Sequence, residues 1–166
     1  MKTWFDLIDL DDEISFGTVD LTRHAARSPY ETSVCGMVGL SRMADKGWAS
    51  IDGTLGDYWY GADSGADRMV LEALGLTPDQ FTESLKTCRD DAALTKDLAG
   101  KTGKSEQEIA AFNEEACKSG PGDERMWGFY RNLIAQTDSA RTDLDTWYAL
   151  MLLDDRVSYA RRTAGV

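Results

Sequence analysis

Histidine occurs once in these 166 residues, and proline and cysteine three times each. Cys35, Cys88 and Cys117 are widely spaced and form no Cys-x-x-Cys pair, which excludes a zinc knuckle or a dithiol redox motif. An odd cysteine count without a basic-then-apolar leader favours a reducing compartment, and the expected location is the cytoplasm. Positive charge is scarce too: 18 Lys and Arg face 29 Asp and Glu, for a net charge of −11. Nucleic acid and anionic membrane surfaces both require basic patches, so neither is an expected partner. No apolar run approaches the ~20 residues of a membrane span. Leu7, Ile8 and Leu10, for example, are interrupted by Asp6, Asp9 and Asp11. His24 sits on a polar connector with no Ser or Cys at a nucleophile's spacing.

Two apparent ligand motifs also fail. Gly100-Lys101-Thr102-Gly103-Lys104-Ser105 imitates a phosphate loop, but Leu98 stands where the first glycine is needed and no strand precedes it. Asp9, Asp11, Asp12 and Glu13 suggest calcium, but Ile14 occupies the position that must be glycine. No metal and no cofactor are therefore expected.

What the chain does have is aromatic and sulfur-bearing core volume, with five tryptophans and six methionines. Its length suits one domain, residues 1–166. Residues 3–16 recur without a gap at 146–159. Thr3-Trp4 matches Thr146-Trp147, Leu7 and Leu10 match Leu150 and Leu153, Asp11-Asp12 matches Asp154-Asp155, and Ser15 matches Ser158. Four further positions are close exchanges: Phe5/Tyr148, Ile8/Met151, Ile14/Val157 and Phe16/Tyr159. In both copies the apolar residues follow helical spacing, and the Asp-Asp pair is suited to capping a following turn. Residues 1–19 thus read as an appended helical segment and 20–155 as the core. Two copies so far apart do not make a solenoid.

After the polar connector 17–29, Ser28-Pro29 predicts the start of an apolar helix over 30–49, in which Gly36 and Gly39 allow another backbone to approach. Four glycines around Asp57-Tyr58-Trp59-Tyr60 make 50–65 a turn-rich stretch with at most a short β-hairpin around 48–62. A helix follows over 66–75, closed by Gly75, and Thr77-Pro78 opens the next. Further helices are expected at about 90–99, 105–118, 122–137 and 143–153. Ser105 with Glu108 forms a capping box, and residues 139–143 lead into the last helix. The fold class is mainly α.

In this order, Asp20-Leu21-Thr22, Arg27-Ser28-Pro29, Gly36, Leu40-x-Arg42-x-x-Asp45-Lys46, Gly53, Gly56-Asp57-Tyr58, Ser64-Gly65-x-Asp67, Leu74-Gly75 and Asp143-x-x-Thr146-Trp147 resemble a bacterial family, domain of unknown function 5069. The resemblance spans about residues 20–155. It implies a mainly helical fold and carries no known chemistry.

Arg42, Asp45 and Lys46 share one face of an apolar helix. A lysine beside an arginine and away from water has a lowered pKa, which suits it to proton abstraction, with Asp45 to orient either cation. If the following loop is extended, alternation places Tyr58 and Tyr60 together. The expected site takes Lys46, Asp45 and Tyr58 as catalytic groups and Arg42, Tyr60, Asp57 and Asp63 as ligand contacts for a small polar or anionic molecule. Its chemistry would be cofactor-free acid–base chemistry of the lyase, dehydratase or isomerase type, or binding alone. The alternative is a helical interaction module that uses the duplicated Trp segment, which also makes a homodimer plausible. The far-ultraviolet circular dichroism spectrum is expected to be helical, with strand below about 10% where typical domains carry 20–25%.

Overall fold

Helix α1 (Leu40–Asp52) has no solvent face over most of its length: all ten residues from Leu40 to Ala49 are buried, Ser41, Arg42, Asp45 and Lys46 among them. A helix surrounded in this way must find partners for its polar side chains inside the protein. The computed structural model describes residues 19–164, with side chains through residue 160. Of the segment 1–19 read as appended, residues 1–18, Trp4 among them, lie outside the described residues.

After α1 come α2 (Gly65–Leu74), α3 (Pro78–Thr87), α4 (Asp91–Thr102), α5 (Glu106–Lys118), α6 (Glu124–Asp138) and α7 (Trp147–Ala164). The domain is all-α, with no strand among the described residues. Residues 48–52 complete α1, and the glycine-rich stretch after it contains a 3₁₀ turn, Gly61–Asp63, in place of a hairpin.

The helix starts follow local chemistry. Thr77 and Gln80 form a reciprocal capping box with Pro78 in the first turn, as do Ser105 and Glu108 at α5. Asp90 and Asp123 cap α4 and α6. Each cap satisfies backbone N–H groups that have no partner within the helix. Gly75 and Gly103 close α2 and α4 in the left-handed conformation.

Three expectations are corrected. Residues 30–39 are turns and not helix, because Cys35, Gly36 and Gly39 all have positive φ (54°, 67° and 78°) and a right-handed helix cannot pass through them. The close approach at Gly39 involves a side chain: a Cβ there would lie 2.6 Å from the Tyr148 hydroxyl, while at Gly36 nothing lies within 4 Å. The Asp154-Asp155 pair does not cap a turn, because α7 starts later than predicted and runs through it to Ala164. Residues 139–143 remain non-helical, with Arg141 paired to Asp143 at 2.7 Å.

The main core joins Leu40, Met43, Ala44 and Trp48 of α1 to Val70, Leu71, Leu74, Phe81, Leu85, Leu94 and Leu98 of the next three helices. The Trp48 indole donates to the Cys88 carbonyl at 2.9 Å. A second cluster unites α6 and α7 through Tyr130, Ile134 and Leu150, where half-buried Trp147 packs edge-on against Tyr130 with ring centroids 5.2 Å apart.

Gly47 lets α3 reach α1. A Cβ there would lie 2.1 Å from Leu85 Cδ1 and 2.9 Å from the Tyr60 hydroxyl, and Leu85 is fully buried. Gly47→Ala gains up to about 1 kcal/mol of helix propensity but overpacks this contact. A net loss of about 1–3 kcal/mol in urea unfolding is expected.

Candidate functional site

The three buried charges of α1, Arg42, Asp45 and Lys46, diverge to three separate partners. Arg42 forms a two-pronged ion pair with Asp155 of α7, Nη1 to Oδ2 at 2.7 Å and Nη2 to Oδ1 at 3.0 Å. Its Nη1 also donates to the Arg27 carbonyl at 3.1 Å, and its guanidinium lies 5.2 Å from the Tyr58 ring centre. Tyr58 donates its hydroxyl to the same Asp155 carboxylate at 2.6 Å. Asp45 turns to Arg27, accepting from its backbone N–H at 2.8 Å and from Nε at 2.9 Å. Arg27 in turn reaches Asp91 at 3.0 Å and the Ser41 carbonyl at 3.1 Å. Lys46 Nζ donates to Asp67 at 2.6 Å, the Trp59 carbonyl at 3.0 Å and Ser64 Oγ at 3.2 Å. An ammonium has three donors, and these three acceptors match them.

Burial and pairing pull the proton affinities in opposite directions. Burial lowers the Lys46 pKa against the opposing pull of Asp67. It also works to lower that of Arg42, but the hydrogen bond and charge of Asp155 outweigh it and the net shift is upward. Burial pushes the Asp45 carboxyl up despite Arg27. Tyr58 is raised by burial and by its bond to Asp155, and Tyr60 is pushed up by burial to about 12.

The expected site is therefore only partly assembled. Arg42, Lys46, Asp57 and Tyr58 line one groove of about 810 Å³, and Trp59 joins them. Asp45, Tyr60 and Asp63 are not among its lining residues. Asp45 faces Arg27 and so orients neither Arg42 nor Lys46. Tyr60 donates to or accepts from Thr82 on α3 at 2.9 Å. Without an extended strand there is no alternation to keep Tyr58 and Tyr60 together.

The rest of the groove comes from α2 (Arg68, Met69), α6 (Met126, Phe129, Leu133) and α7 (Trp147, Leu150, Met151, Asp154). Its size is that of a small-molecule cleft. Among the described residues five large hydrophobic side chains are exposed, and Trp59 (72%), Phe129 (53%) and Met126 (38%) all belong to this groove. Cys35 lies on a turn and not on a helix, and burial raises its thiol, which removes nucleophilic character. No cluster of metal-ligating side chains is present among the described residues, and no described helix is long and apolar enough to cross a membrane.

Sequence reasoning missed Arg27, Asp67, Asp91 and Asp155. Arg27 and Asp67 stand within the family-like pattern, and Asp155 stands within the repeat. Asp91 carried no signal beyond its place near a helix start.

Fold and site together define an all-α domain whose central helix is fixed by buried ion pairs and borders an open, largely apolar groove. Residues 23–157 match the family described as Domain of unknown function (DUF5069), and the chain belongs to that family. No curated protein matches it.

The Lys46–Asp67 pair generates a pH-dependent expectation. Asp67→Asn leaves a buried ammonium without a carboxylate and should cost about 3–5 kcal/mol at pH 7. The folded Lys46 pKa then falls further below that of the unfolded chain, so the unfolded state binds more protons and stability rises with pH. Denaturant titrations at increasing pH, up to the ordinary lysine range, should show the variant's deficit shrinking.

Proposed function

We propose that the protein binds a small amphipathic molecule in the groove between α2, α6, α7 and residues 57–59. One observation carries this reading: the polar end built by Arg42, Lys46 and Tyr58 opens onto an apolar wall of Met69, Phe129, Leu133, Trp147 and Met151 in one concavity. An apolar body would lie on that wall. The lining charges have both signs, with Arg68, Arg42 and Lys46 alongside Asp57 and Asp154. A head group that both donates and accepts hydrogen bonds suits them better than a simple anion.

The acid–base form of this reading gives Lys46 the proton-transfer role, with Tyr58 lining the same groove. It requires substrate to displace Asp67 from Lys46. The filled donor set of Lys46 favours binding over turnover, and a Lys46→Met protein that folds and retains full activity removes the catalytic role.

Octyl compounds that differ only in their head groups (sugar, zwitterion, carboxylate, ammonium) provide the probe. Titrated below their micelle concentrations, the sugar and zwitterion are expected to shift tryptophan emission at lower concentration than the singly charged forms. Phe129→Asp alters an exposed side chain and should leave folding unchanged while weakening binding at least about tenfold, a loss of about 1.4 kcal/mol. Equal binding by Phe129→Asp, or no response to any member of the series, refutes the reading.

A further inference from the structure

The surface that receives α7 is specified more narrowly than an apolar groove. Among the described residues four α7 side chains are buried: Tyr148, Leu150, Leu153 and Asp155. In residues 3–16 their counterparts are Phe5, Leu7, Leu10 and Asp12, three identities and one loss of a hydroxyl. The three unlike exchanges are Ala149 to Asp6, Leu152 to Asp9 and Arg156 to Glu13, and they fall on half-buried or exposed positions. The likeness between the segments is thus closest where α7 meets the rest of the protein.

Two further observations concern fit and reach. The Tyr148 hydroxyl is buried with no hydrogen-bond partner, an arrangement that destabilises by the desolvation of that group. Phe5 has the ring without the hydroxyl. At the other end, Tyr159 of α7 donates to the Leu21 carbonyl at 2.8 Å, so the last repeat position lies beside Leu21. Residue 16, its counterpart, is five residues from Leu21 in the chain, and five extended residues span up to about 17 Å. A segment in the α7 seat with α7's own direction would end where its connection begins.

We propose that the α7 seat is a docking surface with two occupants encoded in one chain, α7 and residues 3–16 of the same molecule, the latter binding as a helix that offers Asp12 to Arg42 when α7 leaves. The repeat then provides two ligands for one pocket.

The test uses the full chain. Leu153→Asp places a charge in the α7 contact and Leu10→Asp does the same in the second occupant. Leu10→Asp alone should leave the melting temperature within about 2 °C of wild type, and Leu153→Asp alone should lower it by about 5–10 °C with a cooperative transition and a monomeric mass. The double variant should lose the cooperative transition, a non-additive effect between residues that never touch. Digestion with a protease that cuts before aspartate should shift in the Leu153→Asp protein, with cleavage near 154–155 appearing and cleavage at 9–12 receding. The proposal is overturned if Leu153→Asp alone abolishes cooperative melting, if adding Leu10→Asp to it changes nothing, or if it folds only as a dimer, which would mean the seat is filled from a second copy.

Discussion

Arg42 cannot lose its charge under any condition in which the protein is folded, yet it sits in a run of ten buried helical residues. The carboxylate of Asp155, 113 residues further along the chain, resolves this conflict with both oxygens. Much of the architecture is arranged around that contact. Tyr58 leans on the same carboxylate and so fixes the loop after α1. The carbonyls of residues 26 and 27 accept from the same guanidinium, which fixes the strap before α1. The C-terminal helix is held against the centre of the molecule by a charge pair as well as by its apolar face. Breaking such a pair from one side leaves an uncompensated buried charge, so its members act as a unit.

Lys46–Asp67 and Asp45–Arg27 extend the same logic to neighbouring segments. Asp67 also accepts from the Gly61 backbone at 2.9 Å, tying the 3₁₀ turn to α2. Three side chains within five residues of one helix thus reach α2, α7 and both flanking loops. This accounts for the presence of several charges in the most buried helix of an otherwise apolar core.

Some of this could be read in the sequence because it is local. Capping at Thr77, Ser105 and Gly75 depends on residues within one turn, and those boundaries fall as expected. The importance of Arg42, Asp45 and Lys46 was also visible, since charges within an apolar helix are costly without a use. Their partners were not visible, because pairing across 18 to 113 residues is decided by tertiary packing. Cys35 shows the converse failure. Its positive φ is rare for a non-glycine residue and ends any helix through 30–39, and the sequence carries no mark of it. The apolar wall of the groove was equally hidden, because Met126, Phe129 and Leu133 read as the ordinary inner face of α6 until the position of α7 is known.

The distance between Arg42 and Asp155 along the chain has a further consequence, because a ribosome makes the chain in order. At about 5–20 residues per second, roughly 6–23 seconds separate the synthesis of the guanidinium from that of its carboxylate. Through that interval α1 cannot close to water around Arg42 by means of this pair, however well its apolar neighbours are already placed. The central helix is therefore completed last, although it lies near the start of the described chain. A chain released before residue 155 carries Arg42 without the carboxylate of Asp155, so its central helix lacks the pair that joins it to α7.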